Sequence, residues 1–185
     1  MRFILAFVAM SLPASAFAFD SCDDLWFTRN LVFDRVGYCF SSPLGKTTFG
    51  NNGCTTREPG LDAQEQDVVA AVIARERELG CHVDTQRTVL HVDLIAMRKI
   101  VLDLPLATEF ESACIGWRGS PFDLHNAAHK DSHVIGFLQD GDTLDFYHDP
   151  LRDWEFVTQM RDGGVVGVGW VNFEGKEDLC DQSAG

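Results

Sequence analysis

The sequence predicts an α+β protein: a small, disulfide-tied helical module at the N-terminus, followed by a small antiparallel β-barrel. As far as residue 103, apolar residues recur at helical spacing. After residue 113, short apolar runs alternate with turn residues, which is typical of strands. The chain also has six cysteines, enough for three disulfides. We therefore predict a signal peptide at 1–18, a helical module at 19–103, a linker at 104–112 and a barrel at 113–185.

The first residues have the pattern of a secretory signal peptide. Met1-Arg2 is a basic start, residues 3–12 are mostly apolar, and Ala16 and Ala18 supply small residues for cleavage after Ala18. The apolar run is about ten residues, shorter than the roughly 20 that a membrane-spanning helix needs. We therefore expect a periplasmic or secreted protein without a transmembrane anchor.

This location indicates that the cysteines form disulfides, because an oxidising compartment favours them. A zinc site usually has closely spaced Cys-x-x-Cys pairs and a catalytic thiol needs an unpaired cysteine, and neither pattern is present. Sequence alone leaves other pairings open. Position favours the pairs Cys22–Cys81, Cys39–Cys54 and Cys114–Cys180.

The helical part contains three predicted helices. The first begins at Ser21 and ends before Gly37, and the second begins at Asp62, with Glu65 completing a capping box, and ends before Gly80. The third runs through 90–101 and stops before Pro105. Residues 38–60 are rich in Gly, Ser, Thr and Asn and are predicted to be a disulfide-tied loop.

In the C-terminal part, the spacing of apolar residues changes from helical to alternating. Apolar or alternating segments at 134–138, 143–147, 154–157 and 165–171 are separated by turns such as Gln139-Asp140-Gly141-Asp142. Short strands with frequent turns indicate a small antiparallel barrel or sandwich.

The N-terminal residues resemble a known family. The run Ser21-Cys22-Asp23-Asp24-Leu25-Trp26-Phe27-Thr28-Arg29-Asn30, followed by residues 33–40, is similar to the YARHG domain of bacterial extracytoplasmic proteins. Of the motif that names the family, Phe33-Asp34-Arg35-Val36-Gly37 keeps the aromatic residue, the Arg and the Gly. The resemblance covers roughly residues 22–81 and implies an envelope module without an assigned chemistry.

The C-terminal part resembles a bacterial SH3-like domain over about residues 113–177. The segments that carry the likeness are Val134-Ile135-Gly136, Asp153-Trp154-Glu155-Phe156-Val157 and Gly169-Trp170-Val171. The resemblance implies a groove lined by aromatic residues that recognises peptides or cell-wall material. The candidates for this groove are Trp117, Phe146, Trp154 and Phe156, with Trp154 the foremost.

Three histidines suggest a different function. His125, His129 and His133 recur every four residues, which on a helix would place three potential metal ligands on one face. The SH3-like resemblance instead implies an extended loop here, where this spacing aligns nothing. The alternative hypothesis is a metal-dependent envelope hydrolase that uses these histidines.

The charge narrows the range of partners. A formal net charge of −13 disfavours nucleic acid and favours a basic partner. We predict a non-catalytic adaptor without a cofactor that binds cell-wall material or a basic envelope protein. A purely structural role in a larger assembly is a third hypothesis, and the sequence leaves the oligomeric state open.

Overall fold

The computed structural model describes residues 19–119, 121–174 and 179–185. The predicted signal peptide lies outside these residues. The chain is α+β, as predicted. Its helices are α1 (Ser21–Arg35), α2 (Pro43–Phe49), α3 (Ala63–Glu78) and α4 (Ile95–Ile100). Its strands are β1 (Ala107–Trp117), β2 (Phe122–His125), β3 (Val134–Leu138), β4 (Thr143–His148), β5 (Glu155–Arg161), β6 (Gly164–Val171) and β7 (Cys180–Ala184).

Helices α1 and α3 lie where the sequence predicts them, because their ends carry clear capping signals. The Asp20 side chain accepts hydrogen bonds from the first turn of α1. Asp62 and Glu65 form the predicted reciprocal capping box at the start of α3. None of the described helices combines the length and apolarity that crossing a bilayer requires.

The loop predicted at 38–60 contains a helix, and that prediction is therefore wrong for residues 43–49. Ser42 caps α2 by accepting a hydrogen bond from Gly45 N at 3.2 Å, and Pro43 fits the first turn. With only seven residues, α2 is too short to show a helical repeat in the sequence. The third predicted helix is also shorter than expected, since α4 covers only Ile95–Ile100.

The strands form one open sheet in the order β3-β2-β6-β5-β4-β1-β7. Neighbouring strands are antiparallel, and β3 and β7 are the two edges. The expected closed barrel is therefore not what the strand pairing gives. The sheet is nevertheless strongly curved, because Gln159 in β5 donates to the Phe137 carbonyl in β3 at 3.1 Å although two strands lie between them.

Alternating residues give the sheet two apolar faces. Phe156 and Trp170 pack with Val101 next to α4, in a cluster on the helical side. The neighbouring residues Val157 and Val171 belong to the core on the other side. That second core also contains Cys114, Trp117, Leu124, Leu138 and Leu144. The helices therefore cover one face of the sheet, and the other face curves around its own core.

The linker predicted at 104–112 is largely the start of β1. Ala107 is completely buried, and its carbonyl accepts a hydrogen bond from Arg75 in α3 at 2.8 Å. Thr108 accepts one from the Ser21 hydroxyl at 3.0 Å. This stretch therefore joins the helical part to the sheet and does not separate them.

The cysteines form the three pairs that their positions favoured. Cys22 bonds to Cys81, Cys39 to Cys54 and Cys114 to Cys180, with Cα–Cα distances of 5.3, 5.1 and 5.3 Å. These pairs account for all six cysteines of the sequence, each of which lies in the part of the chain that the structure describes. Such a set of disulfides is typical of proteins outside the cytoplasm.

Candidate binding groove

Aromatic side chains from three strands meet around Phe173, which follows β6. The ring of Phe173 lies 5.5 Å from Trp117, 6.2 Å from Phe122 and 6.1 Å from Phe146, measured between ring centroids. These separations are typical of attractive ring contacts. The sheet thus carries an aromatic cluster on the side opposite the helices.

Three adjacent cavities share Phe173 as a wall, and we call them together the Phe173 groove. The first, of about 360 Å³, is lined by Trp117, Phe146 and the C-terminal strand. The second, of about 480 Å³, also contains Phe110, Ser112 and Phe146. The third, of about 360 Å³, lies at Arg152 and Glu174. Cavities of this size are within the usual range for small ligands or side chains.

The groove has an acidic rim. Asp149 and Glu155 line the second cavity, and Asp153 and Glu174 join Glu155 in the third. Burial raises the pKa of Glu155, because the half-buried carboxylate has lost part of its hydration. The groove therefore combines apolar ring surface with carboxylates, and Arg152 adds a guanidinium.

Two of the four predicted groove residues line this groove. Phe146 is partly exposed and contributes to two of its cavities. Trp117 forms a wall although only 2% of it is exposed. Its indole nitrogen is buried without a hydrogen-bond partner among the described residues. Trp117 therefore shapes the groove more than it offers surface to a ligand.

The other two predicted residues lie on the opposite face of the sheet and do not line the Phe173 groove. Phe156 is completely buried in the cluster next to α4. Trp154 packs against that cluster, with its ring 5.3 Å from the His125 ring. The alternation of side chains along β5 explains this placement: Val157 points to the inner core, and its neighbour Phe156 therefore points to the helices.

Sequence reasoning missed two aromatic residues that line this groove, Phe173 and Phe110. Phe173 lies two residues beyond Val171, the last residue of β6, and therefore outside the strands that the sequence predicts. Phe110 lies in an irregular part of β1, where the pairing shifts between Ala107 and Ser112. It is 76% exposed and lines the second cavity.

A second polar site lies between the helices and the sheet. Arg98 in α4 donates to both Asp24 oxygens, at 2.5 and 3.0 Å, and to the Thr28 hydroxyl at 3.4 Å. His148 in β4 contacts Asp24 through Nε2 at 3.2 Å. The Arg98 guanidinium also lies between the Phe27 and Phe156 rings, 5.5 and 5.2 Å from their centroids. The three charged or titratable side chains of this cluster are at most 4% exposed.

The cluster fixes the protonation state of its members. Burial disfavours the Asp24 carboxylate, but Arg98 and His148 outweigh it and hold the pKa of Asp24 far below its usual value. Burial lowers the pKa of His148 despite the attraction of Asp24. Its Nδ1 is buried without a partner among the described residues, so a proton there would be poorly solvated. The cluster is thus a neutral imidazole beside a charged pair.

A cavity of about 240 Å³ adjoins this cluster. Asp24 and Arg98 form part of its wall, together with Phe19, Thr158 and residues 89–93. Because Arg98 and Asp24 neutralise each other, the wall offers no uncompensated buried charge. The cluster is best explained as a structural connection between the helices and the sheet.

The structure separates the three histidines proposed as metal ligands. His125 lies in β2 and contacts Ser132, while His129 lies in the following turn beside Asp131. Among the described residues, the ligand atoms of His125, His129 and His133 do not come within 4.8 Å of one another. The hydrolase hypothesis is left without a geometry that supports it.

A different group, Asp20, Asp23 and His91, meets that distance criterion. Its carboxylates already have partners, however. Asp20 caps α1, and Asp23 pairs with Arg87 and accepts the His91 backbone N–H at 2.8 Å. The group stabilises the start of α1, where negative charge is favourable.

Comparisons with known proteins agree with a division into two family regions. Residues 1–77 match the YARHG domain, which confirms the N-terminal resemblance. Residues 80–185 match the family described as "Domain of unknown function (DUF4453)". No curated protein and no solved structure matches the chain. The DUF4453 match covers more than half of the residues, and the chain therefore belongs to this family, with a YARHG domain preceding the DUF4453 region.

Proposed function

We propose that this protein is a non-catalytic, periplasmic or secreted adaptor that binds cell-wall material or an envelope protein in the Phe173 groove. The observation that carries this proposal is the set of three adjacent cavities around one aromatic side chain. A continuous series of cavities suits an extended chain better than a single compact substrate.

The surroundings of the groove support a binding role. The Cys114–Cys180 disulfide ties β1 to β7, and both residues line the first cavity. A rigid wall lowers the entropy cost of binding, because little has to be ordered when the ligand arrives. The exposed Phe110 ring at the mouth gives a partner an apolar surface to cover.

The likeness to SH3-like domains is part of this proposal. The sheet is open but strongly curved, since Gln159 in β5 donates to the Phe137 carbonyl in β3 across two intervening strands. An aromatic groove on a strongly curved antiparallel sheet is what the resemblance implies. The YARHG match supports an envelope location.

Phe110 provides the cleanest test, because an exposed ring can be removed without disturbing the core. We expect Phe110→Ala to reduce co-sedimentation with isolated cell-wall sacculi, or capture by immobilised envelope proteins, severalfold. The matched control is Phe137→Ala in the edge strand β3, where the ring is 51% exposed but lies outside the groove. Circular dichroism would confirm that both variants are folded.

A second pair of variants tests which face of the sheet binds the partner. Phe173→Ala should abolish binding, whereas Trp154→Ala, on the helical side, should retain it. Equal loss in both variants, or no effect of Phe110→Ala, would show that the groove is not the binding site.

A further inference from the structure

The Phe173 groove has more negative than positive charge in its walls. The third cavity contains Asp153, Glu155 and Glu174 but only Arg152 as a cation among its lining residues. In the part of the chain that the structure describes, these three carboxylates take part in no ion pair within 4.0 Å. Asp149, by contrast, is paired with Arg75 at 2.7 Å.

Among these carboxylates, Glu155 is the one whose charged form is disfavoured by burial. It is partly buried at the junction of the second and third cavities, and both cavities also contain Phe173. Burial raises its pKa, so its charged form is poorly hydrated. A cation placed here would replace the lost hydration and would lie close to an aromatic ring, whose face attracts cations.

The excess negative charge of the groove distinguishes between anionic polymers, neutral sugar chains and basic peptides as partners. An anionic polymer would be repelled by the rim, and a neutral sugar chain would gain nothing from the excess negative charge. A basic side chain gains from the carboxylates and from the rings, and its aliphatic stem can cover apolar surface. The net charge of −13 would also accelerate its approach.

Resting on the proposed function, we propose that the occupant of the Phe173 groove is a lysine- or arginine-bearing segment of an envelope protein. The basic side chain lies between Glu155 and Phe173, and its neighbours along the segment cover Phe110 and Phe146. Residues 149–155 and 173–174 thus set the specificity, and the aromatic cavities supply the contact area.

Pentalysine, blocked at both ends, is a suitable probe, and its fully side-chain-acetylated form is a neutral control of equal length. We expect saturable pentalysine binding to the oxidised full chain by titration calorimetry, weakened by salt, and no binding of the acetylated peptide. Glu155→Gln should weaken pentalysine by about two- to fivefold, as expected for one partly screened ion pair. Phe110→Ala should weaken it by about threefold through lost ring contact.

Non-specific attraction to an acidic protein is controlled by Glu58→Gln, which changes the net charge equally at an exposed position in the helical part. Equal weakening by Glu155→Gln and Glu58→Gln, or equal binding of the acetylated peptide, would overturn the inference. Binding of an N-acetylglucosamine oligomer that Phe110→Ala abolishes, without pentalysine binding, would overturn it while leaving the groove as the binding site. If no probe and no envelope material depends on Phe110 or Phe173, the proposed function itself fails.

Discussion

Replacing Arg98 by Met tests whether the buried cluster holds the helices to the sheet. Arg98 is 4% exposed and makes two hydrogen bonds to Asp24. Met keeps the unbranched aliphatic part of the side chain but lacks the guanidinium, so the change removes the charge, the hydrogen bonds and the contacts of the guanidinium with the Phe27 and Phe156 rings. It leaves the Asp24 carboxylate buried with only His148 nearby. Breaking a buried pair in this way costs about 3–5 kcal/mol of unfolding free energy.

The double variant Asp24→Leu with Arg98→Met separates the cost of an orphaned charge from the net worth of the pair. Because both charges are then absent, we expect it to be less destabilised than Arg98→Met alone. The control is Arg118→Met, whose pair with Asp181 is exposed at 57% and 60% and should contribute about 0–1 kcal/mol.

Urea unfolding under oxidising conditions, followed by tryptophan fluorescence and by circular dichroism, measures these effects. We expect one transition for the wild type, because the cluster joins both parts of the chain. If Arg98→Met cost no more unfolding free energy than Arg118→Met, or if the double variant were less stable than Arg98→Met alone, this account of the cluster would be refuted.

Three further predictions concern stability. Since burial lowers the pKa of His148 below its ordinary value of 6.5, its neutral form stabilises the fold above that pH and the contribution is lost as the pH falls; His148→Gln should flatten this part of a plot of unfolding free energy against pH. A Cβ at Gly119 would overlap the Trp117 indole, so Gly119→Ala should cost about 1–3 kcal/mol in urea unfolding and shift the tryptophan emission. Replacing both Cys22 and Cys81 by Ala should cost about 4 kcal/mol in the chain-entropy model, measured by the same unfolding experiment.

The elements predicted correctly are those specified by local chemistry. The capping box at Asp62 and Glu65 marks the start of α3 within four residues of sequence, and the cysteine spacing suffices to favour the observed pairs. Helix α2 escaped prediction because its stability comes from packing: Leu44 is completely buried among aromatic rings in the helical core. A helix of this length has too few positions for a periodic signal.

The four aromatic residues predicted for one groove lie on two faces of the sheet, because sequence gives alternation along a strand but not the absolute face. Trp117 and Phe146 come from strands whose inner residues line the groove, whereas Phe156 comes from the outward position of β5. A shift of one residue along a strand therefore moves a side chain from the groove to the helical side of the sheet. Phe173 lies beyond the end of β6, and only the folded sheet shows which rings surround it.

The histidines show the opposite failure, in which a regular spacing has no structural meaning. Four-residue spacing aligns side chains on a helix, but residues 126–133 form turns between β2 and β3. The structural role of His148 could not be predicted from the sequence for a related reason. Its partner Asp24 lies 124 residues away, and no local pattern can indicate a contact at that distance.

The boundary between the two family regions is therefore not a boundary of folding. Asp24 belongs to the YARHG match, while Arg98 and His148 belong to the DUF4453 match, and the Cys22–Cys81 disulfide also crosses the boundary. Without the first region, the buried Arg98 would lose its carboxylate, and β1 would lose its contacts with α1. The YARHG region thus contacts the sheet from one face, and the Phe173 groove that we propose as the binding site lies on the opposite face.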